Sequence, residues 1–149
     1  DMALFIFTKA ILEGKPVQVF NNGDMKRDFT YIADIIEGLY RILINLPPAG
    51  DPEWTGKDPL PSTSMAPYRI FNIGNSKPVQ LMDFIYAIEK QTGKKAILEY
   101  LPMQSGDVKS TWASVDDLYD VYKYKPHYSI EDGISQFYKW YKEYFKVQI

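Results

Sequence analysis

The residues best able to do chemistry fall in three short stretches. Gly23-Asp24-Met25-Lys26-Arg27-Asp28-Phe29-Thr30-Tyr31-Ile32 is the most charge-rich segment of the chain. An Arg projecting beside a Gly turn suits a diphosphate, because its planar guanidinium matches two phosphate oxygens at once. By composition alone the commoner outcome is a solvated turn in which Lys26 and Arg27 pair loosely with Asp24 and Asp28. Phe20, just before that turn, is either a face for a planar base or an ordinary core aromatic. In Gln104-Ser105-Gly106-Asp107 the glycine permits close backbone approach, and Asp107 can accept from sugar hydroxyls; a plain turn is the alternative.

Other candidate chemistry weighs less. Tyr-x-x-x-Lys, the acid–base spacing of many NAD enzymes, occurs at Tyr86/Lys90, Tyr119/Lys123 and Tyr138/Lys142. In a chain with 12 Tyr and a Lys-rich tail such pairs arise by chance. None follows a Gly-rich phosphate loop, and no Gly-x-Gly-x-x-Gly exists anywhere in the chain. His127, before the last helical pattern, reads as a surface loop residue. It is the only histidine and there is no cysteine. That excludes disulfide scaffolds, thiolate and His-cluster metal sites and cysteine nucleophiles, and makes a Ser-His-Asp triad a poor fit. No catalytic centre is recognisable in these residues.

The elements that must position the three stretches follow from periodicity. Asp1 can cap a first helix with Leu4, Phe5, Ala10, Ile11 and Leu12 on one broad face, ended by Gly14. Val17 to Phe20 alternates like a strand, Asn21 to Asp24 is turn chemistry, and Arg27 to Ile32 reads as a second extended piece. A helix from about Ala33 carries Ile35, Ile36, Leu39, Ile42 and Leu43 along one side. Residues 46–67 lose all periodicity and hold Pro47, Pro48, Pro52, Pro59, Pro61 and Pro67, which predicts a long Pro-rich loop inserted in one domain spanning residues 1–149. Tyr68 to Gly74 reads as a strand ending in a turn. Leu81, Phe84, Ile85 and Ile88 make a helical stripe closed by Gly93, and Ala96 to Leu101 reads as a strand. Ser114 caps a short helix through Tyr119. Ser129 with Asp132 has capping-box spacing for a final helix facing inward through Ile134, Phe137, Tyr138, Tyr141 and Phe145. The class is mixed α and β.

Composition sets the outer limits. The chain has 149 residues, 46% hydrophobic and 24% charged, with a formal net charge of −2. That supports one ordinary core and supplies no basic field for nucleic acid. No apolar run approaches the roughly 20 residues that span a bilayer, and no signal peptide pattern is present, so the expected compartment is the cytoplasm.

Taken in order, these segments resemble a specific family. Asp1-Met2-Ala3-Leu4-Phe5 and Phe7-Thr8-Lys9-Ala10-Ile11-Leu12-Glu13-Gly14-Lys15-Pro16 are similar to the start of the substrate-binding portion of UDP-glucuronate 4-epimerases. These are NAD-dependent nucleotide-sugar epimerases of the extended short-chain dehydrogenase/reductase family. The segment Gly23 to Ile32 matches that family's signature nearly letter for letter. Ala66-Pro67-Tyr68-Arg69, Asn72-Ile73-Gly74-Asn75, Leu101-Pro102-Met103-Gln104 and Gly106-Asp107-Val108 extend the likeness over the whole chain.

The resemblance implies a UDP-sugar site in which Phe20 lies against the uracil and Arg27 contacts the diphosphate. Gln104 borders the nucleotide, and Asp107 lies near the ribose. Galactose-type epimerases have Arg where Gln104 stands, so this position points to the glucuronate branch. Asp1 and Met2 would flank the entrance to the site. The resemblance also implies that the NAD-binding Gly-rich loop and the catalytic Tyr-x-x-x-Lys belong to an N-terminal Rossmann half outside this sequence. This fragment would then hold neither NAD nor a catalytic residue. NAD would take hydride from C4, the keto sugar would rotate, and hydride would return to the other face. A full-length homodimer serving capsule or cell-wall polysaccharide synthesis is implied, with a fragment prone to self-association. The alternatives are another sugar-nucleotide epimerase, dehydratase or decarboxylase, or a non-catalytic nucleotide-sugar binder.

Overall fold

A computed structural model of the chain describes residues 2–45, 48–57 and 60–147. Asp1, with its expected capping and entrance roles, lies outside the described residues, as do Leu46, Pro47, Asp58 and Pro59 of the Pro-rich stretch. The elements run α1 (Ala3–Glu13), β1 (Pro16–Val19), a 3-10 turn (Phe20–Gly23), β2 (Lys26–Arg27), α2 (Ile32–Ile44), β3 (Val79–Gln80), α3 (Leu81–Thr92), β4 (Ile97–Tyr100), α4 (Asp116–Tyr122) and α5 (Ile130–Phe145). They group into two compact units. The first comprises Asp1–Phe29, Lys77–Trp112 and Tyr128–Ile149; the second comprises Thr30–Ser76 and Ala113–His127.

In the first unit β1 and β4 pair in parallel, Pro16 opposite Ile97 through Val19 opposite Tyr100. Alternation along β1 buries Val17 and Val19 and leaves Pro16 and Gln18 facing out. The buried side joins Ile11 of α1, Phe84, Ile85 and Ile88 of α3, and Ile134 of α5 in one apolar core. Phe29 stacks on Phe84 at 4.1 Å between ring centroids and closes one end of it. The Ser129 hydroxyl accepts from the Asp132 N–H at 3.0 Å and starts α5, as its spacing predicts. On that helix Ile134, Tyr138 and Tyr141 are buried, while Phe145 stays exposed, edge-on to Trp140 and Tyr144 and tilted against Tyr141.

The expected extended piece from Arg27 to Ile32 is much shorter. Only Lys26 and Arg27 pair, with Gln80 and Val79 of antiparallel β3. The ladder stops there because the next residue of the antiparallel register, opposite Asp28, is Pro78, which has no N–H to donate. At the other end the Leu81 N–H bonds the Met25 carbonyl at 2.9 Å as α3 begins. Strand β3 itself, two residues long, is too short for periodicity to reveal.

In the second unit α2 runs from Ile32, with Tyr31 at its cap position. The side that packs inward differs from the apolar stripe. Its buried residues are Asp34 and Gly38, while Ile36, Leu39 and Leu43 are exposed. Gly38 lies against Ile73 and Tyr124, where an added Cβ would come within 3.3 Å of both. Tyr68 to Gly74 forms no strand: among the described residues it makes one bridge, Thr63 to Arg69, and an Ile70 N–H bond to the Ser62 carbonyl at 3.0 Å. An extended segment without a partner strand has no ladder to join. The described residues of the Pro-rich stretch fold back on themselves through turns, with the Asp51 N–H on the Ser64 carbonyl at 2.9 Å. Helix α4 starts two residues after Ser114, whose hydroxyl receives the Asp116 N–H at 3.4 Å, and runs to Tyr122.

Candidate functional site

Parallel strands end at the same edge of a sheet, and the segments leaving them at that edge lie side by side. After Val19 comes the turn Phe20–Gly23, and after Tyr100 comes the loop carrying Gln104 and Asp107. The two are tied together: the Leu101 N–H donates to the Val19 carbonyl at 2.9 Å and the Asn22 N–H to the Leu101 carbonyl at 3.1 Å. Asn21 and Asn22 adopt left-handed backbone, which Asn tolerates, and Gly23 follows at φ 84°. A Cβ on Gly23 would meet the Met82 side chain at 3.2 Å, so both conformation and space call for glycine there.

Next to this edge is a cavity of about 770 Å³ within the first unit. Phe20, Arg27, Gln104 and Asp107 all line it. Those four, singled out from three separate stretches of sequence, are thus brought to one place. Phe7, Met25, Phe29 and Leu81 supply apolar wall, and Lys15, Gln18 and Glu99 further polar groups. A concave, largely apolar site with a few convergent polar groups is the usual form of a small-molecule pocket, and the volume lies in the usual range.

Each side chain takes a definite position. Phe20 is half-buried and outside the core cluster, unlike Phe29. Its ring has no aromatic partner among the described residues, which leaves a face open to the cavity. Arg27 does not pair with Asp24 or Asp28. Its Nη2 donates to Asp107 Oδ1 at 2.8 Å and its Nη1 to the carbonyls of Lys26 at 2.8 Å and Lys109 at 3.4 Å. Asp24 instead binds Lys109 at 2.6 Å. The Val108 N–H adds a second donor to Asp107 Oδ1 at 2.8 Å. The Lys26 N–H bonds the Lys109 carbonyl at 2.9 Å and fastens this loop to β2. The guanidinium is therefore fixed in direction before any ligand arrives, with its partly exposed ion pair open to exchange.

The remaining candidates lie elsewhere. None of the three Tyr-x-x-x-Lys pairs lines this cavity. Lys123 and Lys142 sit over the rings of Tyr119 and Tyr138, 5.3 and 5.0 Å from the centroids, stacked on the ring face. Burial raises the Tyr138 phenol above its ordinary value, the reverse of what an active base needs. His127 is exposed, as the sequence suggests, yet its Nδ1 lies 3.1 Å from the carboxylate of Asp34. Asp34 is 1% exposed and also accepts the Tyr124 hydroxyl at 3.0 Å and the His127 N–H at 3.1 Å. Burial, then the Asp34 hydrogen bond, pushes the Tyr124 phenol far above its usual range. Among the described residues no three His, Cys, Asp or Glu side chains could hold a metal, and no helix is long and apolar enough to cross a membrane.

Sequence reasoning missed Gln18 and Glu99 as cavity residues. For Gln18 a signal was present: the alternation that turns Val17 and Val19 into the core turns Gln18 away from it.

A ligand-sized cavity beside the carboxyl ends of paired parallel strands is where open α/β folds place their small-molecule sites. The chain belongs to the NAD dependent epimerase/dehydratase family, which matches residues 1–74. It is 49% identical over 146 residues to Protein CapI of Staphylococcus aureus, covering 98% of this chain and 43% of that protein. To a probable UDP-glucuronate 4-epimerase of Rhizobium meliloti it is 41% identical over 147 residues, covering 98% and 43%. Its fold matches a UDP-glucuronic acid 4-epimerase of Bacillus cereus, solved with UDP-glucuronic acid and NAD, at TM-score 0.75 and 31% identity over 97% of this chain and 40% of that one. The chain thus spans about two-fifths of the length of these relatives.

Proposed function

We propose that this chain is the nucleotide-sugar-binding part of an NAD-dependent UDP-glucuronate 4-epimerase, and that its cavity holds the uridine diphosphate end of the substrate. The observation that carries this is the convergence on one cavity of Phe20 and Arg27 with Gln104 and Asp107, Arg27 and Asp107 lying 80 positions apart in sequence. Phe20 lies against the uracil, Arg27 meets the diphosphate, Asp107 faces the ribose and Gln104 borders the nucleotide. Relatives named as UDP-glucuronate 4-epimerases, and a neighbour solved with UDP-glucuronic acid, support the choice of ligand.

The chain's contribution is positional. Anchoring the nucleotide fixes where the sugar swings, and so converts an encounter into an oriented one. Arg27, held by two carbonyls and Asp107, meets the diphosphate with little reorganisation. NAD supplies the hydride exchange at C4 in such enzymes; no residues of the dinucleotide-loop type occur in this chain, so that chemistry and the acid–base pair are assigned to residues beyond it, and the chain alone turns over nothing.

The test is turnover of UDP-glucuronate to UDP-galacturonate by the protein at the full length of its relatives, beside UDP binding by its Arg27→Ala variant. The reading expects turnover, and binding weakened by about 1.5–3 kcal/mol, as for a lost charged hydrogen bond. Unchanged affinity would return Arg27 to a purely structural pair with Asp107.

A further inference from the structure

A second cavity, of about 540 Å³, opens in the first unit and shares no lining residue with the one described above. Its walls come from the β2–β3 pair, one face of α3 and the start of α5. Lys26 and Gln80 lie opposite one another in the antiparallel register. Asp83, Tyr86 and Lys90 follow at spacings of three and four, which puts them on one stripe of α3. Glu131 stands in the first turn of α5. Among the described residues the side chains of Lys26, Gln80, Asp83, Lys90 and Glu131 make no hydrogen bond or ion pair, and Tyr86 makes no ring contact. Tyr86 is 53% exposed, so a face of its ring is open. Five uncommitted polar side chains thus surround one open aromatic ring.

We propose that this cavity is a binding site for an uncharged saccharide. The lining decides the class. Lys26 and Lys90 only donate, Asp83 and Glu131 only accept, and the Gln80 amide does both. Two cations beside two carboxylates leave no net charge, so the wall offers hydrogen bonds of both kinds without favouring an ion of either sign. A sugar hydroxyl answers both kinds, because it donates one hydrogen bond and accepts others. The C–H face of a pyranose ring is apolar and lies flat on an aromatic ring, which the apolar body of Tyr86 supplies. A nucleotide would instead bring its phosphates up to Asp83 and Glu131, a like-charge juxtaposition that works against binding. Tyr86 and Lys90, spaced like an acid–base pair, serve here as a platform and a donor.

Nuclear magnetic resonance titration of the chain with glucose, galactose and mannose at millimolar concentration tests the site. The expected result is saturable shifts at Gln80, Tyr86 and Lys90 with at least one of these hexoses. Those shifts persist with UDP present, because the two cavities are separate, and in high salt, because no net charge is neutralised. Tyr86→Ala weakens the binding about tenfold, the scale of one lost aromatic contact, and Tyr86→Phe retains it. Tyr86 is exposed, so neither variant threatens the fold, and circular dichroism of each verifies it. Shifts with none of the three hexoses, or shifts unaffected by Tyr86→Ala, overturn the proposal. Shifts seen only with glucuronate and lost in salt also overturn it, by showing a surface that holds anions. Displacement of the hexose by UDP overturns it as well, since the sugar would then occupy the other cavity.

Discussion

The two units of the chain differ in what their first helices bury. In the first, the innermost side chains are apolar and continuous: Ile11, Val17, Val19, Ile85 and Ile88 are each at most 1% exposed. In the second, the most buried side chain of α2 is a carboxylate, Asp34, while that helix's apolar stripe faces outward, with Leu43 83% exposed. The first unit is stabilised chiefly by removal of apolar surface from water, and it carries the cavity. The second buries Val115 and Leu118 beside a hydrogen-bonded network of Asp34, Tyr124 and His127, and its α2 presents an apolar surface of the kind that marks an interaction face. Amphipathicity announces that a helix has a face to cover; it does not say what covers it.

Substitutions can break or sharpen this contrast. The largest effect is expected from Ile85→Ala, which leaves a cavity in the first unit's core and costs about 2–5 kcal/mol in denaturant unfolding. Asp34→Ala strips an acceptor from the Tyr124 hydroxyl and the His127 N–H, and costs about 1–3 kcal/mol. A loss below that range would show that the second unit does not depend on its buried carboxylate.

Glu89 gives a pH-dependent test within the first unit. Its carboxylate, 8% exposed, accepts the Ala96 N–H at 2.8 Å and the Lys95 ammonium at 2.6 Å, joining the end of α3 to the start of β4. Burial works to raise its pKa, but the Lys95 hydrogen bond, the Ala96 N–H and the Lys95 charge together bring it below the usual 4.5. A lowered folded pKa gives stability that is present above 4.5 and is lost as pH falls through the folded value. The advantage of the native chain over Glu89→Gln in unfolding experiments therefore shrinks on acidification. An advantage that grew would contradict the geometry.

The smallest effect belongs to the outward stripe. Leu43→Glu changes stability by no more than about 0.5 kcal/mol. Sedimentation velocity should show it shifting the chain away from self-association. Unchanged association would remove the stripe as its cause.

What the sequence made legible was local. Gly14 and Gly93 close α1 and α3, and Ser129 starts α5, because each cap is decided within four residues. Pairing was not legible. The two-residue β3 and the missing ladder at Tyr68 to Gly74 depend on partners that periodicity within one segment does not show. The same limit applies at the site. Arg27 and Asp107 were both singled out, but their ion pair joins residues 80 positions apart, and composition favoured the nearer Asp24 and Asp28. Asp34 gave no signal, since an acidic residue in a helix's first turn is ordinarily a solvated partner of the helix dipole.

The central claim is that the first unit alone holds the nucleotide. Nuclear magnetic resonance mapping of the chain titrated with UDP tests it most directly. The account predicts shifts that saturate together at Phe20, Arg27, Gln104 and Asp107, with the α2 stripe of Ile36, Leu39 and Leu43 unmoved. Shifts concentrated on that stripe, or none at the cavity, would contradict it.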